Sequence, residues 1–419
     1  MPPVRRFSVS RALFGPLLES ETLFVVSTST LLVMLGQGIA GPILPLFARS
    51  FDVSLAAVGL TLSAFAVARM FVNLPSGLVA DRWGRRVLLV GGPLVTGIGS
   101  LLSATATGLV SLLAWRFVAG VGSAMYMTGA AIVVTDIATD ANRGRMLAIN
   151  QSALLLGVTL GPAVGGTVAE FAGLRAPFVV IGVAAIGAAI WNFIRVPETR
   201  AKRDQAPAVA ADGLPQVSGL RRSLALALSL NFALIALVSF AVFFARSGRQ
   251  VVLPLYGADV INIGEGTIGG VFALMAFINL LLTVPAGGMV DRFGVKATIV
   301  PSAAVSLVGF VLIAGSQSFV PFVGAVAILA VGSGLLGPAP PAYVAEIAPP
   351  ELRGTAMGMF RTVSDLGFVI APPTVGFLAD TAGYEWALVL NGLVLVAAAT
   401  AFWLFATHEP AAVRALEVT

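Results

Sequence analysis

The chain has 419 residues, 58% of them hydrophobic and only 11% charged, with a mean hydropathy of +0.96 and no cysteine. Soluble domains average about 45–50% apolar and about 25% charged, so a water-soluble globule is excluded; the missing cysteines exclude disulfides, thiolate metal sites and cysteine nucleophiles. A net charge of +5 would point to nucleic acid in a soluble chain, but here the basic residues sit mostly in short loops, where they signal orientation in a membrane instead.

A helix crosses a roughly 30 Å hydrocarbon core with about 20 apolar residues. By that measure twelve spans follow in order: 24–47, 55–80, 87–105, 109–137, 145–169 and 175–195, then 224–257, 266–290, 297–315, 319–347, 354–378 and 384–406. The N-terminus carries Arg5, Arg6 and Arg11 without an apolar stretch ending in a small-residue cleavage site, so no removable signal peptide is expected. Residues 197–222, "PETRAKRDQAPAVAADGLPQVSGLRR", are the only long polar stretch. They read as a cytoplasmic linker between an N-terminal six-helix bundle (1–196) and a C-terminal one (223–419). With both termini inside, the cytoplasmic segments hold Arg82, Arg85, Arg86, Arg143, Arg145, Arg292, Lys296, Arg353 and the basic linker, against Arg49 and Arg175 outside. That asymmetry orients the chain. The single His408 reads as a solvated tail residue.

The two halves repeat. "LPSGLVADRWGRR" at 74–86 returns as "VPAGGMVDRFGVK" at 284–296, a spacing of 210 that also carries Arg143-Gly144 to Arg353-Gly354, Gly157 to Gly367, Pro162 to Pro372 and Ala172-Gly173 to Ala382-Gly383. A constant offset over so long a stretch marks a duplicated six-helix unit.

Three motifs follow in order. "GLVADRWGRR" (77–86) lies between spans 2 and 3, "RFVAGVG" (Arg116 to Gly122) in span 4, and "GVTLGPAVGG" (157–166) in span 5. They resemble the loop, fourth-span and fifth-span signatures of the major facilitator superfamily, the last associated with its proton-coupled exporters, and the similarity covers nearly the whole chain. The resemblance implies an all-α integral membrane protein of 12 transmembrane helices in two pseudo-symmetric six-helix bundles, V-shaped and rocking about one site near the midplane. It further implies that spans 1, 2, 4, 5, 7, 8, 10 and 11 line the cavity. The interior ionisable residues Arg69, Arg116, Arg246, Arg249, Arg361 and Asp365 all fall on those spans, as they should when a charge facing lipid costs about 2.5–3.5 kcal/mol.

Gly157, Gly161 and Gly165, four apart, lie along one helix face, beside Pro162 and Gly166. A helix interior disfavours glycine by about 1 kcal/mol and proline by about 3, so the cluster asks for a reason. Small residues let another backbone approach closely, and the expected partner is a helix of the other half, against which the bent surface slides or locks. In the loop signature, Gly77, Asp81, Arg82, Gly84, Arg85 and Arg86 are echoed by Asp291, Arg292, Gly294 and Lys296. Arg85 and Arg86 are expected to pair with Asp136, and Lys296 with Glu346, 210 residues on. The resemblance places Asp81 at the start of span 11 and Asp291 at the start of span 5, as a latch that holds the cytoplasmic side closed.

At 1.5 Å per residue, Arg246, Asp365 and Arg69 reach about 15–16 Å from their helix ends, roughly the midplane. Asp365 is the only carboxylate there and the best candidate for a proton carrier, with a permanent ion pair to Arg361 or Arg69 as the competing reading. Arg116 is tied to proton coupling by the resemblance alone. Gln37, matched to Arg246 by a 209 spacing, and Asn73 are candidates to hydrogen-bond substrate or a neighbouring helix.

No G-x-x-x-x-G-K-[ST] run is present, so ATP is not expected to drive the protein, and no cofactor is expected. The reading is a proton-coupled exporter of small amphipathic organic compounds. It works by alternating access as a monomer in the cell (inner or plasma) membrane; its partners are substrate, protons and lipid, with no nucleic acid and no metal. The alternative is a symporter or facilitator for uptake of a polar or anionic metabolite. The arginine excess leaves it open, and the chain departs from exporters of the resembled family that place an acid in span 1, since it has none between Phe24 and Phe47. A membrane enzyme would need a clustered triad, paired aspartates or a metal-binding helix, and a sensor would carry an added soluble domain.

Overall fold

In lipid a backbone amide must find its partner within the protein, so isolated apolar runs of this length fold as helices. The computed structural model describes residues 20–139, 142–198, 226, 228–349 and 352–407, and all twelve expected spans are helical. They are α1 (Glu21–Arg49), α2 (Leu55–Trp83), α3 (Arg85–Ala104), α4 (Leu109–Ile137), α5 (Arg143–Ala172), α6 (Ala176–Arg195), α7 (Leu230–Asp259), α8 (Glu265–Phe293) and α9 (Val295–Ala314). The tenth span is two helices, α10 (Phe319–Leu336) and α11 (Ala339–Ile347), followed by α12 (Arg353–Ala382) and α13 (Tyr384–Phe405). The break falls at Gly337–Pro338, where Pro338, Pro340 and Pro341 withhold backbone donors. Helices of 29–30 residues are about 44 Å long, so their ends reach beyond the hydrocarbon. Most of the expected linker and His408 lie outside the described residues.

The duplication is visible in the backbone itself. α2, α3 and α5 share their boundaries with α8, α9 and α12 at an offset of 210. Positive φ recurs at the same offset: Asp52 and Asn262, Gly84 and Gly294, Gly173 and Gly383. Gly84 (φ 92) turns the chain from α2 into α3, and a Cβ there would also run into the Glu198 carboxylate. A left-handed backbone with no space beside it admits only glycine.

By packing, the chain forms two units. One extends to Gly41 and resumes at Val67 through α6; the other takes Pro42–Ala66 together with the second half. The first is centred on Leu23, Val26, Met34, Leu89, Tyr126, Val133 and Met146. The second is centred on Ile235, Val238, Ile299, Tyr343, Val344 and Phe402.

Candidate functional site

The loop signature of the first unit is built around one buried cation. Arg85, 2% exposed, donates from Nε to Asp136 Oδ2 (2.9 Å) and from NH1 to the Ala80 carbonyl (3.1 Å); Asp81, largely exposed, stands 3.6 Å from it. Glu198 closes the arrangement by accepting from the Arg85 and Arg86 backbone amides (3.0 and 3.1 Å), a carboxylate on the positive end of α3. Arg86 does not share Asp136 as expected: its guanidinium donates to the Phe193 carbonyl and lies 4.9 Å from the Phe193 ring centre. Adjacent residues point about 100° apart around a helix, and only Arg85 is buried. Arg82 is exposed, and a Cβ on Gly77 would meet nothing within 4 Å.

The second half departs from expectation for a reason the offset makes plain. The residue 210 after Arg85 is Val295, so Glu346 has no buried arginine opposite it. Lys296 is the counterpart of Arg86 and behaves like it, donating to the Trp403 carbonyl (3.3 Å) and to that of Ala406 at the end of α13. Trp403 is itself 210 residues after Phe193. The expected Lys296–Glu346 pair is thereby replaced by a cation on the negative end of a helix. Asp291 is exposed, Arg292 lies over the Phe293 ring, and Gly294 (φ 81) turns the chain into α9.

The fifth-span stripe also has a different partner. Gly157, Gly161 and Gly165 face α1 of the same half, not a helix of the other. A Cβ at Gly161 would lie 2.5 Å from Gly38 Cα and 2.6 Å from the Leu35 carbonyl; at Gly165, 2.9 Å from the Ile39 carbonyl. Gly38 answers from α1, where a Cβ would approach Gly161 Cα and Pro162 Cδ at 2.9 and 3.1 Å. Pro162 and Gly166 are buried in this crossing. In the second half the equivalent crossing joins α12 to α7; it keeps Gly367 and Gly248, the counterparts of Gly157 and Gly38, but not the other two glycines. Gly367 lies against Phe240 and Phe244, whereas buried Ala371 and Val375 fill the next two turns and Gly248 on α7 makes room for Val375.

The interior polar residues are placed within their own units. In the first, Arg69 is the central residue of α2 and half-buried, Asn73 lies one turn further, and Arg116 on α4 is 7% exposed. Gln37 donates to Ser123 Oγ (2.9 Å), so it ties α1 to α4. In the second, Arg246 is exposed and Arg249 is 9% exposed on α7; Arg361 is exposed and Asp365 half-buried, one turn apart on α12. Between α7 and α12 opens a cleft of about 680 Å³ lined by Phe232, Ala236, Phe240, Met359, Thr362 and Val363, among others.

Two clusters escaped the sequence. In the first unit Tyr126 OH bonds Thr30 Oγ1 and the Val26 carbonyl (both 2.9 Å), Thr30 donates to Asn150, and Ser29 to Asn192, which donates to the Leu89 carbonyl. This joins α1, α3, α4, α5 and α6. In the second, Arg49 pairs with Asp259 (2.9 Å) and donates to Tyr384 OH, which donates to Asp259; Asp380 accepts from the Leu55 and Ala56 amides at the start of α2. Gly59 and Gly376 let α2 and α12 touch backbone to backbone just below.

A duplicated chain with twelve helices long and apolar enough to cross a membrane is a multi-pass membrane protein, and the family it matches is one of transporters, not enzymes. The chain belongs to the Major Facilitator Superfamily, whose family profile matches residues 26–260 and 235–418. It is 27% identical over 363 residues to an uncharacterized MFS-type transporter of Methanocaldococcus jannaschii, covering 87% of this chain and 92% of that one. It is 24% identical over 386 residues to multidrug resistance protein 2 of Bacillus subtilis, covering 90% and 94%. Among solved structures, a bacterial homologue of the human lysosomal transporter Spinster, inward-facing and unoccupied, superposes with a TM-score of 0.76 at 16% identity, covering 92% of this chain and 96% of that one.

Proposed function

We propose that the protein exports small amphipathic organic compounds across the cell membrane by alternating access, driven by inward proton movement. The observation that carries the reading is the α7–α12 cleft. Its volume and aromatic, aliphatic lining suit a small organic molecule, and α12 also bears the carboxylate Asp365 about 18 Å from its first residue. The likeness to a multidrug resistance protein adds weight. In this reading Asp365 carries the proton with Arg361 one turn away on the same helix, and Asp81 and Asp291 serve as latch carboxylates on the cytoplasmic side, where both termini lie. An inward proton yields about 2.3 kcal/mol per 100 mV and about 1.36 per pH unit. Together these hold a neutral solute at a few-hundredfold gradient, at about 1.4 kcal/mol per tenfold.

The test is flux in proteoliposomes under an imposed pH gradient, for the protein and for Asp365→Asn. The variant is expected to lose gradient-driven accumulation while retaining substrate exchange. Undiminished uphill transport by Asp365→Asn would reject the assignment.

A further inference from the structure

The end of the second unit remote from both termini is held by a seam that joins one copy of the duplicated sequence to the other. The last two turns of α1 and the first three of α2, Pro42–Ala66, leave their own copy and pack with the second. Along α2, Leu55, Gly59 and Ser63 follow at four-residue spacing and share a face. Along α12, Asp380, Gly376, Pro372 and Val369 answer them in turn. Asp380 accepts from the Leu55 and Ala56 amides. A Cβ on Gly376 would lie 2.2 Å from the Leu55 carbonyl oxygen, and one on Gly59 2.3 Å from that of Pro372. At the inner end, about 12 Å along α2 from Leu55, Ser63 Oγ donates to the Val369 carbonyl (2.5 Å).

That last bond has a cause in the sequence. The fourth residue after Val369 is Pro373, which has no N–H, so the Val369 carbonyl finds no donor in its own helix. Ser63 supplies one from across the seam. At the offset of 210, Gly59, Pro372 and Gly376 have the counterparts Gly269, Pro162 and Gly166, whereas Ser63 and Pro373 both have alanines, Ala273 and Ala163. The hydroxyl and the proline that calls for it are present together in one copy and absent together in the other. Neither of the cores described above contains a seam residue. The ties across the seam are hydrogen bonds and, at its exposed rim, the Arg49–Asp259–Tyr384 cluster, and water can replace them.

We infer that the α2–α12 seam is a joint that opens and reseals in each transport cycle, and that Ser63 sets how firmly it closes. With the seam shut, the hydroxyl answers the Val369 carbonyl; with it open, water answers both. Removing the hydroxyl therefore penalises the shut state alone, where the carbonyl is left buried without a donor. The inference rests on the alternating-access part of the exporter reading and names the contact that moves.

The chain has no cysteine, so spin labels can be attached to introduced cysteines alone. One pair reports on the two copies: Phe171→Cys near the end of α5 and Val320→Cys at the start of α10, both exposed. The control pair, Val320→Cys with exposed Thr381→Cys, lies within the second copy. Electron–electron double resonance on the purified protein should show mostly a shorter separation for the first pair. Ser63→Ala should raise the share of a longer one by about fivefold or more, and Ser63→Thr, which keeps the hydroxyl, by much less. Gly376→Ala, whose Cβ meets main chain, should leave only the longer separation and stop net transport. In Pro373→Ala the Val369 carbonyl regains a donor in its own helix, so adding Ser63→Ala should change the ratio by less than about twofold. The control pair should stay the same throughout. An unchanged distribution in Ser63→Ala or Gly376→Ala, an equal effect of Ser63→Ala with and without Pro373, or a control pair that shifts in step with the first would each overturn the inference. Seam opening in a protein whose substrate flux ignores pH would sustain the inference and reject proton-driven export. Proton-linked flux undiminished in Gly376→Ala would reject the seam and leave the exporter reading standing.

Discussion

Gly161→Ala adds one methyl group at the closest helix crossing of the first unit. The new Cβ would lie 2.5 Å from Gly38 Cα and 2.6 Å from the Leu35 carbonyl oxygen, where carbon contacts prefer about 3.5–4.0 Å. Both neighbours are main-chain atoms, so no rotamer change relieves the overlap and α1 must move away from α5. Overpacking of this kind costs about 1–3 kcal/mol, here toward the upper end, and alanine's better helix propensity returns about 1. The control is Gly187→Ala on α6, where an added Cβ would meet nothing within 4 Å and the propensity gain stands alone. The two variants should therefore differ by about 3 kcal/mol in stability, read as thermal unfolding midpoints in one detergent. Gly38→Ala should resemble Gly161→Ala, and the double variant should lose less than the two losses added, since one separation of the helices serves both. Gly161→Leu should insert but fail to transport. A Gly161→Ala protein as stable as Gly187→Ala would refute the packing argument.

Asp136→Ala strands the buried Arg85 cation and should cost about 3–5 kcal/mol in the same unfolding assay, whereas Asp81→Ala, at an exposed carboxylate, should change little; equal losses would show that burial is not the cause. Asp380→Ala removes the acceptor for two amides at the start of α2 and should cost about 0.5–2 kcal/mol, seen as faster amide hydrogen exchange at Leu55 and Ala56. Unchanged exchange there would contradict the cap.

The number and order of the spans were legible because apolar run length is a local property, and the 210-residue offset paired Gly84 with Gly294, which share a positive φ; the ends shifted by a few residues and the break in the tenth span went unread. Partner choice was not local. Nothing in "GVTLGPAVGG" states which helix its bare face meets; Gly38 and Pro162 interlock because α1 and α5 cross there. Arg85 and Arg86 look equivalent in sequence, yet one turns to Asp136 and the other to a helix-end carbonyl. The offset alone could have separated them, since it gives Arg86 a lysine counterpart and Arg85 a valine. Glu198 read as the first acid of a polar linker, although it caps α3 from more than a hundred residues away. The Arg49–Asp259–Tyr384 cluster joins three helix ends with no common motif, so only folding brings it together.

The most direct test of proton-driven export is to trap a pH-sensitive dye inside proteoliposomes and watch protons move when a transported compound is supplied on one side with no initial pH gradient. The account predicts substrate-dependent proton movement in the opposite direction, abolished in Asp365→Asn while substrate exchange persists. Substrate flux that leaves the internal pH unchanged would contradict it.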